Sequence, residues 1–189
     1  MAVKNMKKIC LLLFLLLAAL ALALGGCGEE QKAQNKTNTV QLQAKEQRFI
    51  VYRAAADGSE YLLPEQFIVP DNGRTPMENA LQNLVGTKPK DAKFDDVVPI
   101  GTKVLGLRVE NGVAYADFSR ELASRRQGSY EEMMLVYAIV NTLTEFPEVQ
   151  RVQILVEGKK VVSLSGHMDV EAPLERNLTL LRDAQAKKL

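Results

Sequence analysis

The chain carries a single histidine, His167, within Ser163-Leu164-Ser165-Gly166-His167-Met168-Asp169. A serine nucleophile, an imidazole base and a carboxylate are the parts of acyl-transfer chemistry. A working triad gathers them from separate elements, whereas these three share one short loop. No Gly-x-Ser-x-Gly elbow accompanies them. The segment therefore reads as a polar loop with surface or capping roles. Asp91, Asp95 and Asp96 offer oxygen ligands. They lack the regular Asp/Asn ladder, central glycine and distal glutamate of a calcium loop. One histidine and two cysteines do not make a zinc site. No phosphate loop or dinucleotide fingerprint appears. Many acids are present, but none sits in a motif for glycoside cleavage. Arg120, Arg125 and Arg126 cluster before a helical stretch and could meet an anionic polymer or acidic partner. Short charge clusters are more often solvated surface. The residue types thus predict no catalytic residue, no metal and no cofactor.

Covalent chemistry is expected at Cys27. Lys4, Lys7 and Lys8 form a positive region, Ile9 to Leu24 an apolar run, and Gly25-Gly26 a small-residue site, the three parts of an export signal. The run is shorter than the roughly 20 residues that span a bilayer comfortably. Leu24-Gly25-Gly26-Cys27 resembles the lipobox of bacterial lipoproteins, in which the cysteine is acylated (palmitate among its acyl chains) and the signal is cut before it. Residues 1–26 are then a signal peptide. Two or more acyl chains anchor a protein stably, at about 0.8 kcal/mol per buried methylene. The expected location is the outer face of the bacterial cytoplasmic membrane. Cys10 would leave with the signal and Cys27 would be acylated, so no disulfide is expected.

Beyond Gly26 the chain is close to neutral. The overall charge is +1 and the first 26 residues contribute three lysines, leaving −2 for the rest. Nucleic acid needs a concentrated basic face, so it is not an expected partner. Residues 27–47 are rich in Gln, Lys, Asn, Thr and Glu. They cannot bury enough surface to offset ordering, and read as a tether reaching about 25 Å as a coil.

The folded part must be built from residues 48–176. Arg48–Arg53 reads as a strand, with a turn at Asp57-Gly58 and a return strand broken or edged by Pro64. Thr75-Pro76-Met77-Glu78 opens a helix with a capping box, and Gly86 is placed to end it. Residues 91–98 read as loop. Asn111-Gly112 predicts a type I′ hairpin. That register pairs Glu110 with Val113, Val109 with Ala114, Leu107 with Ala116 and Leu105 with Phe118, and places Arg108 against Tyr115. Ser119 starts a short helical turn. Ser129 with Glu132 predicts a second capping box, on a long helix with apolar Met133, Val136, Val140 and Leu143. Pro147 stops that helix. In the next strand Val152, Ile154 and Val156 point inward, with Arg151, Gln153 and Glu157 outward. This strand could lie parallel to 113–118 or antiparallel to 103–109. Val161–Leu164 offers a last strand, and residues 177–189 read as a fraying tail. The class is α+β: a small, mostly antiparallel sheet with two helices on one face, in the order hairpin, helix, hairpin, helix, strand.

Several of these pieces resemble one family. Ala80-Leu81 to Gly86, Val98-Pro99-Ile100-Gly101-Thr102, the Asn111-Gly112 hairpin with Ala116-Asp117-Phe118-Ser119, and above all Asn141-Thr142-Leu143-Thr144-Glu145-Phe146-Pro147 before Val152-Gln153-Ile154 and Glu157-Gly158 are similar to the GerMN domain of sporulation and spore-germination lipoproteins. The resemblance covers about 48–176. It implies a fold similar to ring-building motif domains and a role in the envelope of spore-forming bacteria. That role would be binding or assembly with an envelope or sporulation protein, with oligomerisation in view, rather than catalysis. The germination protein of this family carries two such domains in tandem, whereas this chain has room for one. Direct recognition of peptidoglycan, and a wall hydrolase, stand as alternatives.

Overall fold

The computed structural model describes residues 45–124 and 128–182. Strands β1 (Glu46–Ala55) and β2 (Leu62–Pro70) form the predicted hairpin around Asp57-Gly58. Helix α1 (Pro76–Gly86) follows, then the two-residue strand β3 (Phe94–Asp95), which pairs with the end of β1. Strands β4 (Val104–Glu110) and β5 (Val113–Phe118) form the second hairpin. A 3-10 turn at Arg120–Ala123 leads to helix α2 (Ser129–Leu143) and strand β6 (Arg151–Val156). Short strands β7 (Lys159–Lys160) and β8 (Leu174–Glu175) both pair with β6.

The α+β class holds, but the strands divide between two sheets. One is ordered β2-β1-β3, and the other runs β4-β5-β6-β7 with β8 also on β6. β6 lies parallel to β5, the arrangement that needs a crossover, here supplied by α2.

The Asn111-Gly112 turn has positive φ at both residues, 51° and 76°, as type I′ requires. Its predicted pairs form as far as Leu107 with Ala116. A β-bulge then intervenes, and Phe118 faces Val104 in place of Leu105. Arg108 lies opposite Tyr115 as the register predicts, and its guanidinium sits 4.2 Å over the ring as a cation–π contact rather than as a solvated side chain alone. Pro64 sits within β2, the edge of its sheet, opposite Tyr52. The Tyr52 N–H donates to Thr142 Oγ1 of α2 (2.9 Å), so it points away from β2. A residue opposite such an outward-facing group has no ladder bond to donate, which is where proline is tolerated.

Helix α1 opens as expected. Thr75 Oγ1 accepts from the Glu78 N–H, and Glu78 Oε2 accepts from the Thr75 N–H. Its end differs, because Gly86 is the last helical residue rather than a left-handed terminator. Arg53 from β1 replaces that device. Its Nη2 donates to the carbonyls of Asn83 (3.2 Å) and Thr87 (2.9 Å), and its Nε to Glu65 Oε2 (2.6 Å). Arg53 is 1% exposed, so these bonds and the paired charge are what make its burial tolerable.

Helix α2 departs furthest from expectation. Gly128 is its N-cap, Ser129 is the first helical residue, and the Ser129–Glu132 box does not form. Burial extends nearly all round, from Met134, Leu135 and Val136 to Ala138, Ile139, Val140 and Leu143, while Met133 is half-buried. Gln153, expected to face outward, is also buried, because the segment after β7 covers that side of β6. Its Nε2 donates to the Val170 carbonyl (3.2 Å). Val161–Leu164 is not a strand; Lys159–Lys160 pairs with β6 directly after the Glu157-Gly158 turn, and the next pairing is that of β8. Of the tail expected over 177–189, residues 177–182 lie against the domain and 183–189 lie outside the described residues. Leu180 and Leu181 are buried, and Arg182 bonds Asp57 (2.7 Å).

Replacing Arg53 by methionine should strand the buried Glu65 carboxylate and cost roughly 3–5 kcal/mol in urea unfolding. The double change Arg53→Met with Glu65→Leu should recover more than half of that loss.

Candidate functional site

The run Asn141–Pro147 is a junction between elements. Asn141 is buried and clamps the chain near the C-terminus, its Nδ2 donating to the Asn177 carbonyl (3.0 Å) and its Oδ1 accepting from the Asn177 N–H (2.9 Å). Thr142 holds β1 through Tyr52. Arg176 forms an ion pair with Glu145 and donates to the Tyr52 hydroxyl (2.9 Å), which in turn donates to Glu145 (2.8 Å). Its second amino group donates to the Asn141 carbonyl (2.9 Å). Burial pushes the Tyr52 hydroxyl up to about 12, with the hydrogen bond to Glu145 adding to the shift. A phenol so raised stays neutral at physiological pH and works as a hydrogen-bonding tie, not as a base.

A second junction lies at the other end of α2. Glu132 is fully buried, and its carboxylate is cradled by the loop that holds the only histidine. Oε1 accepts from the Ser163 hydroxyl (2.7 Å) and from the N–H groups of Leu164 (2.9 Å) and Ser165 (2.8 Å), while Oε2 accepts from the His167 N–H (2.8 Å). Burial alone would push this carboxyl up. The bonds from Ser163 and the three amides outweigh it and hold the carboxyl below its ordinary value. Ser163 Oγ donates to Glu132 and accepts from the Gly166 N–H (2.6 Å). Asp169 accepts from the Glu171 N–H (2.9 Å). The Ser–His–Asp segment thus gives its loop a shape and anchors it to α2.

The other sequence candidates are dispersed. Asp91 accepts from the Lys93 N–H, and Asp95 from the Asp96 N–H, both local turn bonds. Among the described residues no group of three or more His, Cys, Asp or Glu is placed to hold a metal ion. Arg120 is exposed and pairs with its neighbour Glu121, while Arg125 and Arg126 lie outside the described residues. So do Cys27, the 1–26 signal and the tether up to residue 44. Among the described residues no helix is long and apolar enough to cross a membrane.

Phe146, within the same run, is half-buried and packs against the core. It lies between two concave apolar regions and lines both. One, about 390 Å³, is bounded by Arg48, Ile50, Phe67, Ile68 and Glu145. The other, about 360 Å³, is bounded by Met77, Leu107, Val109 and Glu148. Ile68 is 57% exposed, so this rim leaves apolar area in water. Such an arrangement suits contact with an apolar side chain from another molecule. The sequence marked Phe146 through its run, yet nothing local distinguishes it from its buried neighbours.

A family model described as "Germane: Sporulation and spore germination" matches residues 50–162. The fold is similar to the tandem GerMN domains of the sporulation protein GerM from Bacillus subtilis, with a TM-score of 0.60 and 23% identity over 69% of this chain and 46% of that one. It is also similar to the first GerMN domain of that protein, with a TM-score of 0.55 and 23% identity over 72% of this chain and 98% of that one. The chain thus spans about half of the tandem structure. No curated protein matches it.

Because the folded pKa of Glu132 is lowered, its stabilising contribution is present above the unfolded value of about 4.3 and is lost as pH falls through the folded value. Glu132→Gln should therefore cost roughly 2–4 kcal/mol at pH 7. The difference from the parent should shrink below pH 4, as read by urea unfolding at a series of pH values.

Proposed function

The chain belongs to the Germane family of sporulation and spore germination, and on that premise we propose that it is a membrane-tethered, non-catalytic binding domain acting in one of those two processes. The carrying observation is how the polar residues of the signature run are used. Asn141, Thr142 and Glu145 join α2 to β1 and to the segment around Arg176, which leaves Phe146 and its two apolar flanks as the part open to a partner. A run spent on architecture, with one half-buried aromatic lining two apolar hollows, supports recognition of a protein surface over turnover. The partner is an envelope protein of the same membrane face, bound through an apolar anchor.

Lipid attachment at Cys27 is the tether in this reading, supported by the Leu24-Gly25-Gly26-Cys27 pattern behind a positive and apolar leader. About 20 residues of polar chain would let the domain search for partners near the membrane while staying attached.

Replacing Ile68, exposed on the rim beside Phe146, by lysine should leave the fold intact but lower spore yield or germination in the source organism nearly as far as deletion of the gene. A deletion strain that sporulates and germinates normally would overturn the process assigned here. Cross-linking in membranes should recover a protein partner. Retention of the chain on protease-treated wall would favour direct polymer recognition instead. Cys27→Ala should release the protein from the membrane fraction or leave its signal uncut, read by fractionation and mass spectrometry.

A further inference from the structure

Along one edge of β1 the chain supplies its own partners and then stops. The register with β2 is unbroken from Glu46 to Ala54, so backbone groups alternate between the β2 side and the opposite side. On the opposite side Ala54 meets Asp95 of β3, and the Tyr52 N–H meets Thr142 Oγ1. The next groups to face that way belong to Ile50 and Arg48. Among the described residues no strand covers them, and no hydrogen bond outside the β1–β2 hairpin reaches their N–H or C=O groups. An open edge of this kind is a template for another strand. The far edge of the same sheet is blunted, because Pro64 and Pro70 occupy outward positions of β2. The open stretch of β1 carries no proline and no bulge.

The surroundings narrow what can occupy it. Alternating amides and carbonyls at strand spacing are satisfied together by another extended backbone, whereas a helix has already used its own groups and a lipid tail has none. Arg48 and Ile50 also line the larger apolar hollow, with Ile68, Glu145 and Phe146. Every second side chain of an added strand stands on the same face as Ile50, which is half-buried there, and so reaches that hollow. Charge restricts the occupant further. Glu145 is neutralised by its ion pair with Arg176. The Arg48 side chain is 73% exposed and makes only a 3.7 Å contact with the equally mobile-ended, exposed Glu46. An acidic side chain across the ladder matches it, since opposite charges on neighbouring strands attract.

We propose that an extended segment of the partner protein adds to β1 as a strand along Arg48 and Ile50, placing a large apolar side chain in the hollow beside Phe146 and an acidic one against Arg48. This rests on the binding role given above and adds the backbone pairing by which the partner is held. The first half of β1 then lies between β2 and the partner, as its second half lies between β2 and β3.

The test presents a displayed library of random short peptides to the full chain in nanodiscs and measures the affinity of those it selects. Selected sequences should alternate, with a large apolar residue and an acidic residue on one face. Methylating a peptide amide nitrogen that faces β1 should weaken binding about tenfold, the loss of one backbone hydrogen bond, and methylating the alternate nitrogens should change it less than about threefold. Arg48→Pro removes an outward N–H that the fold does not use, the kind of place where Pro64 is accommodated in β2. It should weaken binding about tenfold beyond the loss given by Arg48→Ala. Peptides lost with Ile68→Lys yet indifferent to amide methylation would overturn strand addition while leaving the Phe146 surface as a binding site. A library that yields no alternating peptide would overturn strand addition as well. The role in sporulation or germination is judged separately, by the deletion strain.

Discussion

Helix α2 is buried on nearly every side, and that constraint governs the rest of the domain. A helix lying on one sheet can direct its polar residues to water. Here Glu132, Asn141 and Thr142 have no such outlet and are all fully buried. Each must be matched by donors or acceptors from whatever packs against it, because an unmatched buried polar group costs about 1–3 kcal/mol. The matches come from distant chain segments: the 163–167 loop for Glu132, Asn177 for Asn141, and β1 for Thr142. Apolar contact alone would let these segments slide along the helix. The hydrogen bonds fix where each one sits, and so fix the course of the chain after β6.

That also explains how a non-regular C-terminal segment can be held. Between β7 and β8 the chain has almost no ladder bonds of its own. Its order comes from Glu132 at one end, the Gln153 side chain through Val170 in the middle, and Asn141 with Glu145 through Asn177 and Arg176 at the other. The segment in return covers the outer face of β6 and excludes water from Gln153 and Leu155. Helix and strap are therefore mutually dependent, and local sequence in the strap carries little information about its conformation.

This dependence marks what could be read from sequence. The β4–β5 hairpin was legible because Asn111-Gly112 sets turn type and register within a few residues. Only the bulge at Leu105, decided by the edge of the sheet, escaped. The start of α1 was legible for the same reason, its cap lying wholly within Thr75–Glu78. The end of α1 was not, since Arg53 comes from a strand 30 to 34 residues before the carbonyls it caps. Glu132 was misread although a signal existed. It lies one turn before Val136 and two before Val140, on the apolar stripe itself, a position where a carboxylate must find buried partners. Proximity to Ser129 suggested a capping box and hid that reading. The signature run was visible as a pattern, but its division into three structural residues and one aromatic lining the apolar hollows required knowing that Tyr52 and Arg176 converge on it.

The same division bears on how such a domain can change partners while keeping its fold. Asn141, Thr142 and Glu145 each tie at least two elements, so substitution there disturbs several contacts at once. Phe146 is attached to that junction, half-buried against the core, and the rim residues around it, Ile50, Ile68 and Val109, come from strands whose registers are set elsewhere. Their side chains can vary without altering a ladder bond. Under the binding role proposed above, a rigid polar junction carrying an apolar rim would let the contact surface vary while the fold is kept.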